Sequence, residues 1–246
     1  MAFPQTIVSL VPSITELLFD LGLGDRVVGR TRFCIHPENK VEDVEIIGGT
    51  KNPRVKKIVS LEPDLIIANK EENRKKHIEE LEKHTDVHLT NITNLNEALF
   101  GIHLIGELCG AEEEAAELLE NIQAEMERVP EEPQLSVAYM IWRKPWMTVG
   151  GDTYINSVLG HWNLKNVFQE DTRYPEISLN AIARKNPDLI FLSSEPYPFK
   201  EKHINEVKNA SPRSNVVLVN GEWFSWYGSR MLPAFRQLNM LRKAIS

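Results

Sequence analysis

IVSLEPDLIIA (58–68) and IARKNPDLIFL (182–192) share one pattern: a short helical stretch, a Pro-Asp turn, then an apolar strand. Pro63 and Asp64 in the first copy correspond to Pro187 and Asp188 in the second, half the chain away. A polar loop and then a helix follow both copies: residues 69–73 and 74–84 in the first, 193–198 and 200–209 in the second. Apolar runs of four or five residues bounded by turns read as strands buried on both faces. Strands alternating with helices imply a parallel sheet in each half. The expected class is therefore α/β, with a parallel sheet in each of two lobes.

Around the first copy, Ile7–Leu10 reads as a strand and residues 14–21 as a helix, with Ser13 a candidate cap and Glu16 three residues on. Strands are expected at 26–29 and 87–89, and helices at 55–60 and 95–108. Around the second copy, strands are expected at 137–141 and 216–219 and helices at 153–159 and 232–244, with Asp152 a candidate cap. Residues 111–128 are rich in Ala, Glu and Leu and hold no Gly or Pro. Such a helix would run about 27 Å, and its place near the chain midpoint suits a rigid connector. The expected division is a lobe over 1–110, a connecting helix over 111–132 and a second lobe over 133–246.

The chain has 246 residues, 42% hydrophobic and 26% charged, with a formal charge of −7. An acidic chain of this kind argues against nonspecific nucleic-acid binding. No apolar run reaches the roughly 20 residues of a membrane helix, so membrane insertion is not expected. Residues 1–6 show no signal-peptide pattern. As it stands the sequence reads as cytoplasmic, or as periplasmic or surface-borne if a leader has been removed. Cys34 and Cys109 read as free thiols, with one bridge between them left open.

Catalytic signatures are missing: no G-x-S-x-G, H-E-x-x-H, C-x-x-C or G-x-G-x-x-G occurs. Residues 24–31 mimic a P-loop but carry Arg30 in place of its lysine. His84 and His88 straddle a helix end and a strand, which points their rings apart. Aromatic clustering is the positive signal. Every Trp lies between 142 and 226, and two clusters, 142–146 and 223–230, follow expected strands. Loops at the carboxyl ends of parallel strands are where such sheets bind ligands. Trp142, Trp146, Trp226 and Tyr227 are candidates to stack on a large flat ligand, and Arg143 and Arg230 to meet its acidic groups. Trp162 and Trp223 read better as core. In the first half, Phe33, Cys34 and His36 share one loop and Lys70, Glu71, Glu72 and Asn73 another. His36 is the candidate metal ligand. The second loop reads equally well as a solvated helix start.

IVSLVPSITELLFDLGLGDRVVG (7–29), GGTKNPRVKKIVSLEPDLIIA (48–68) and RYPEISLNAIARKNPDLIFLS (173–193) resemble the cobalamin and iron-siderophore substrate-binding proteins of ABC importers, the helical-backbone class of periplasmic binding proteins. The resemblance covers nearly the whole chain. It implies two Rossmann-like lobes joined by one long backbone helix, a noncatalytic role, and a metal chelate (cobalamin, haem or a ferric siderophore) held in a cleft as cargo, with no intrinsic cofactor. It also implies an ABC permease as partner; a monomer is expected. Phe33, the 142–146 loop and the 223–230 loop fall at the family's cleft positions. Thr50 and Asn69 stand where cobalamin-binding members carry cleft tryptophans. Lys56 and Asn180 replace two acids that dock on the permease, with Glu62 and Glu176 nearby as substitutes. A second reading is a cytoplasmic enzyme or chaperone acting on a corrinoid or related metal cofactor.

Overall fold

The computed structural model describes residues 3–245. Two compact units emerge. Unit 1 comprises Met1–Ile92, Asn96–Gln123 and Tyr227–Leu232, and unit 2 comprises Thr93–Leu95, Ala124–Trp226 and Pro233–Ser246.

Unit 1 runs β1 (Ile7–Ser9), α1 (Pro12–Asp20), β2 (Val27–Arg30), β3 (Glu45–Ile46), α2 (Val55–Ser60), β4 (Leu65–Asn69), α3 (Lys75–Leu81) and β5 (Asp86–Thr90). Then come α4 (Leu95–Cys109) and α5 (Glu112–Met126). Its sheet has the order β3-β2-β1-β4-β5, and every pairing is parallel. All residues of β4 are buried, which explains the unbroken apolar run. Val8, Leu10, Ile47, Ile58, Ile66, Ile78 and Leu81 form the core.

Unit 2 runs β6 (Leu135–Met140), β7 (Trp146–Met147), α6 (Tyr154–His161), β8 (Leu164–Asn166), β9 (Glu176–Ile177) and α7 (Leu179–Lys185). It continues with β10 (Leu189–Ser193), α8 (Glu201–Ala210), β11 (Asn215–Val219), α9 (Glu222–Ser225) and α10 (Met231–Ala244). The main sheet has the order β11-β10-β6-β8, again all parallel, and β7 pairs antiparallel with β9. Read from the other edge, β8-β6-β10-β11 reproduces β2-β1-β4-β5. The internal repeat thus places β4 and β10 at the same sheet position.

The repeated aspartates have one job. Asp64 Oδ2 accepts the N–H of Gln5 (2.7 Å) and of Thr6 (2.9 Å), and the Asp64 N–H donates to Thr6 Oγ1 (3.0 Å). Asp188 Oδ2 accepts the Ser136 N–H (2.8 Å) and hydroxyl (2.6 Å), while the Asp188 N–H donates to Ser136 Oγ (2.8 Å). Each fastens the amino end of one central strand to the strand beside it. Both carboxyls are held below the ordinary aspartate value, Asp64 chiefly by the Gln5 N–H and Asp188 chiefly by the Ser136 hydroxyl.

Local expectations are corrected in four places. Helix α1 starts at Pro12, whose missing N–H suits the first turn, so Val11 is the N-cap and Ser13 lies inside the helix. At α6 the cap is Thr153, whose Oγ1 accepts the Asn156 N–H (3.2 Å), because Asp152 is engaged with the Arg173 N–H (2.5 Å). Helix α5 has 15 residues, shorter than expected, and the division between the units falls inside it. Residues 222–225, expected as loop, form α9.

Candidate ligand-binding surfaces

In unit 1 the relevant loops leave the carboxyl ends of β2, β3 and β4. Phe33 is 48% exposed, with the Arg32 guanidinium 4.9 Å from its ring centre. His36 is half-buried on the same loop. Cys34 does not belong to this surface. It is 0% exposed; its sulfur accepts the Thr15 hydroxyl (3.0 Å) and lies 3.2 Å from that of Thr31. Burial pushes its thiol pKa up, so it is an inert core group and the expectation of a ligand contact is withdrawn.

The loop after β4 is built from two amides. Asn69, buried, accepts the Glu71 N–H at Oδ1 (2.8 Å) and donates to Thr90 Oγ1 (3.0 Å). Asn73 accepts the Asn69 N–H (2.9 Å) and donates to the carbonyls of Leu10 (3.2 Å) and Thr50 (3.0 Å). Buried with these bonds made inside the protein, Asn73 staples three segments and is corrected from ligand contact to scaffold. Lys70 is exposed and Glu72 half-buried on the same loop.

Tyr227 and Arg230, expected with the second half, fold with unit 1. Tyr227 is buried. Arg230 grips Glu16 through both Nε (2.9 Å) and Nη2 (2.6 Å). Burial pushes the Glu16 carboxyl up, and the Arg230 charge opposes that shift.

A cavity of about 470 Å³ opens beside Phe33, lined by Arg32, Lys51, Arg54 and the loop 48–52. The sequence signalled it through Phe33 and Thr50, while its three cations went unread.

In unit 2 the loops leave β6 and β10, which are paired neighbours. Trp142 is 38% exposed and meets Tyr197 edge-on at 5.7 Å. Trp146 stacks on Phe199, with centroids 5.8 Å apart and planes within 14°. The Arg143 guanidinium lies 5.9 Å from the Trp146 ring centre, and its Nε donates to Glu206 Oε2 (2.9 Å). His203 packs edge-on against Phe199 and accepts the Lys200 N–H at Nδ1 (2.9 Å). Burial lowers its pKa. Trp226, half-buried, donates through Nε1 to Glu195 Oε1 (3.0 Å).

The structure thus joins Trp142, Arg143 and Trp146 in one aromatic platform and adds Tyr197, Phe199, Glu195 and Glu206, which sequence reasoning missed. Arg143 and Arg230 were expected to meet ligand acids, but each already faces a carboxylate of the protein. Trp162 is core, packed on Phe235 at 4.6 Å and bonded to Asn239 (2.8 Å). Glu62 precedes β4 at the sheet end away from these loops, and Glu176 on β9 pairs opposite Met147 beside the platform. Among the described residues, no group of three or more His, Cys, Asp or Glu gathers to hold a bare ion, and no helix is long and apolar enough to cross a membrane.

The family model for periplasmic binding proteins matches residues 7–213. The chain belongs to that family. It is 34% identical over 76% of its length to an uncharacterized ABC transporter substrate-binding lipoprotein, YvrC, of Bacillus subtilis, and spans 63% of that protein. It is 26% identical to a vitamin B12-binding protein of Vibrio campbellii, over 95% of this chain and 88% of the relative. The crystal structure of the periplasmic vitamin B12-binding protein BtuF of Vibrio cholerae superposes with a TM-score of 0.84, covering 98% of both chains at 22% identity. Membership in a family of binding proteins favours the noncatalytic reading over the enzyme or chaperone.

Proposed function

We propose that this periplasmic binding protein family member captures a metal chelate, of the corrinoid, haem or ferric-siderophore kind, for ABC-type uptake outside the cytoplasmic membrane. The observation that carries the reading is the aromatic platform of Trp142, Trp146 and Tyr197, backed by buried Phe199, at the carboxyl ends of two neighbouring parallel strands. Broad, flat rings suit a large planar chelate, which they bind through dispersion and apolar area. Phe33 supplies an exposed ring in unit 1, and His36 is the imidazole this reading offers to the metal. Trp226 and Lys70 complete the proposed contacts. For the permease partner, exposed Glu176 is the acid we propose in place of the family's docking residues.

Calorimetric titration with cyanocobalamin, haemin and ferric siderophores tests the proposal. At least one chelate should bind with a dissociation constant of about 1 µM or tighter. Trp142→Ala should weaken that binding by about tenfold, the scale of one lost aromatic contact. Absence of heat with every chelate would reject it.

A further inference from the structure

From the cavity in unit 1 we infer that the chelate this protein selects is anionic, and that Arg32, Lys51 and Arg54 are its charge-reading residues. The inference rests on the chelate-binding reading above and adds the sign of the cargo.

Three cationic side chains line a cavity of about 470 Å³, and no carboxylate lines it among the described residues. Of the unit 1 carboxylates, Glu45 pairs with Lys57 and also feels the Arg54 charge, and Glu16 pairs with Arg230. Lys51 donates through Nζ to the main-chain carbonyl of Glu71. The Arg32 guanidinium lies 4.9 Å from the centre of the exposed Phe33 ring. Like charges gathered around a concavity raise its potential, and an anion relieves it.

The backbone here is shaped for close approach. Gly48 and Asn52 belong to a tight hairpin, with the Gly49 N–H donating to the Asn52 carbonyl (3.3 Å) and the Asn52 N–H to the Gly49 carbonyl (3.2 Å). Gly48 has φ +114, and a Cβ there would meet the Asn52 carbonyl oxygen at 2.7 Å. A Cβ on Gly49 would press on the Phe33 ring at 3.3 Å. Side chains are thus kept out of the floor, and the cations stand around it. Arg forks pair with carboxylates and catecholate-type oxygens in two-point fashion. Unit 2 differs, since Arg143 on its platform is paired with Glu206. Charge discrimination therefore belongs to the unit 1 cavity and ring contact to the unit 2 platform.

Competitive calorimetry on the full chain tests this with haemin, a ferric tricatecholate, ferric citrate, an uncharged ferric trihydroxamate, cyanocobalamin and iron-free citrate. The anionic chelates should bind at least about tenfold tighter than the uncharged ones, a preference that shrinks from about 0.05 to 0.5 M salt. R32Q/K51Q/R54Q should erase the preference by weakening the anionic chelates far more than the uncharged ones, and R54K alone should keep most of it. Equal affinity for charged and uncharged chelates, or a preference that survives the triple variant, would overturn the inference and leave chelate capture standing. Iron-free citrate binding as well as ferric citrate would overturn it too, since the cavity would then be a plain anion site. Failure of every chelate to bind would remove the underlying reading and this inference together.

Discussion

Asp64 and Asp188 fasten their sheets in the same way, whereas Asn69 and Ser193, at the far ends of the same two strands, serve unlike loops. At the amino ends an aspartate after proline collects N–H and hydroxyl donors from the neighbouring strand. At the carboxyl ends Asn69 organises a network of amides, while Ser193 donates to the Glu195 carbonyl (2.6 Å) below an aromatic platform. The halves agree where the task is to start a parallel sheet and diverge where loops face outward. Divergence at one end only places chemical individuality at the carboxyl ends, where open α/β sheets bind their ligands.

The comparison breaks most visibly at the amide network. Asn73→Ala removes three internal bonds and leaves buried partners unmet, so it should cost about 2–3 kcal/mol in urea unfolding. A cost below about 0.5 kcal/mol would mean that the unit 1 loop does not depend on that network. In unit 2, Trp146→Ala removes the stack on Phe199 and a half-buried ring. Stability should fall by about 1–2 kcal/mol, and chelate affinity should fall with it. An unchanged affinity would show that the platform is packing alone.

The smallest effects sharpen the similarity. D64N and D188N should each lower the thermal midpoint by about 2–4 °C at neutral pH. Both carboxyls titrate below the ordinary aspartate value when folded, so their contribution is full above about pH 4, the unfolded value. It is lost as pH falls through the lowered folded value, because the unfolded chain then binds the proton more readily. Thermal melts across this range should show each variant converging on the parent protein at low pH. A shift for one aspartate and none for the other would end the equivalence.

Much of this architecture was legible from residues. Strands buried on both faces give unbroken apolar runs, and the Pro-Asp step survives as text because its hydrogen bonds need an aspartate there. The two-residue strands β3, β7 and β9 left no such trace, being too short for a period. At the site, Phe33, Trp142 and Trp146 could be read because large rings in loops after strands are conspicuous. Cys34 and Asn73 misled because a polar or soft side chain in a loop looks outward-facing, while a tight loop must satisfy its own buried groups. Arg143 and Arg230 misled for another reason: their partners, Glu206 and Glu16, lie far off along the chain. Tyr197 and Phe199 were hidden in a stretch that Ser193, Ser194 and Glu195 made look polar.

Tyr227–Leu232 is threaded into unit 1 although Trp226 and Pro233 on either side belong to unit 2. A fragment ending within α5 would therefore lack Arg230 and strand the Glu16 carboxylate in its buried niche. Neither half could be excised as a working module by a single cut, and any bisected or permuted version has to carry that short late segment back to the first sheet.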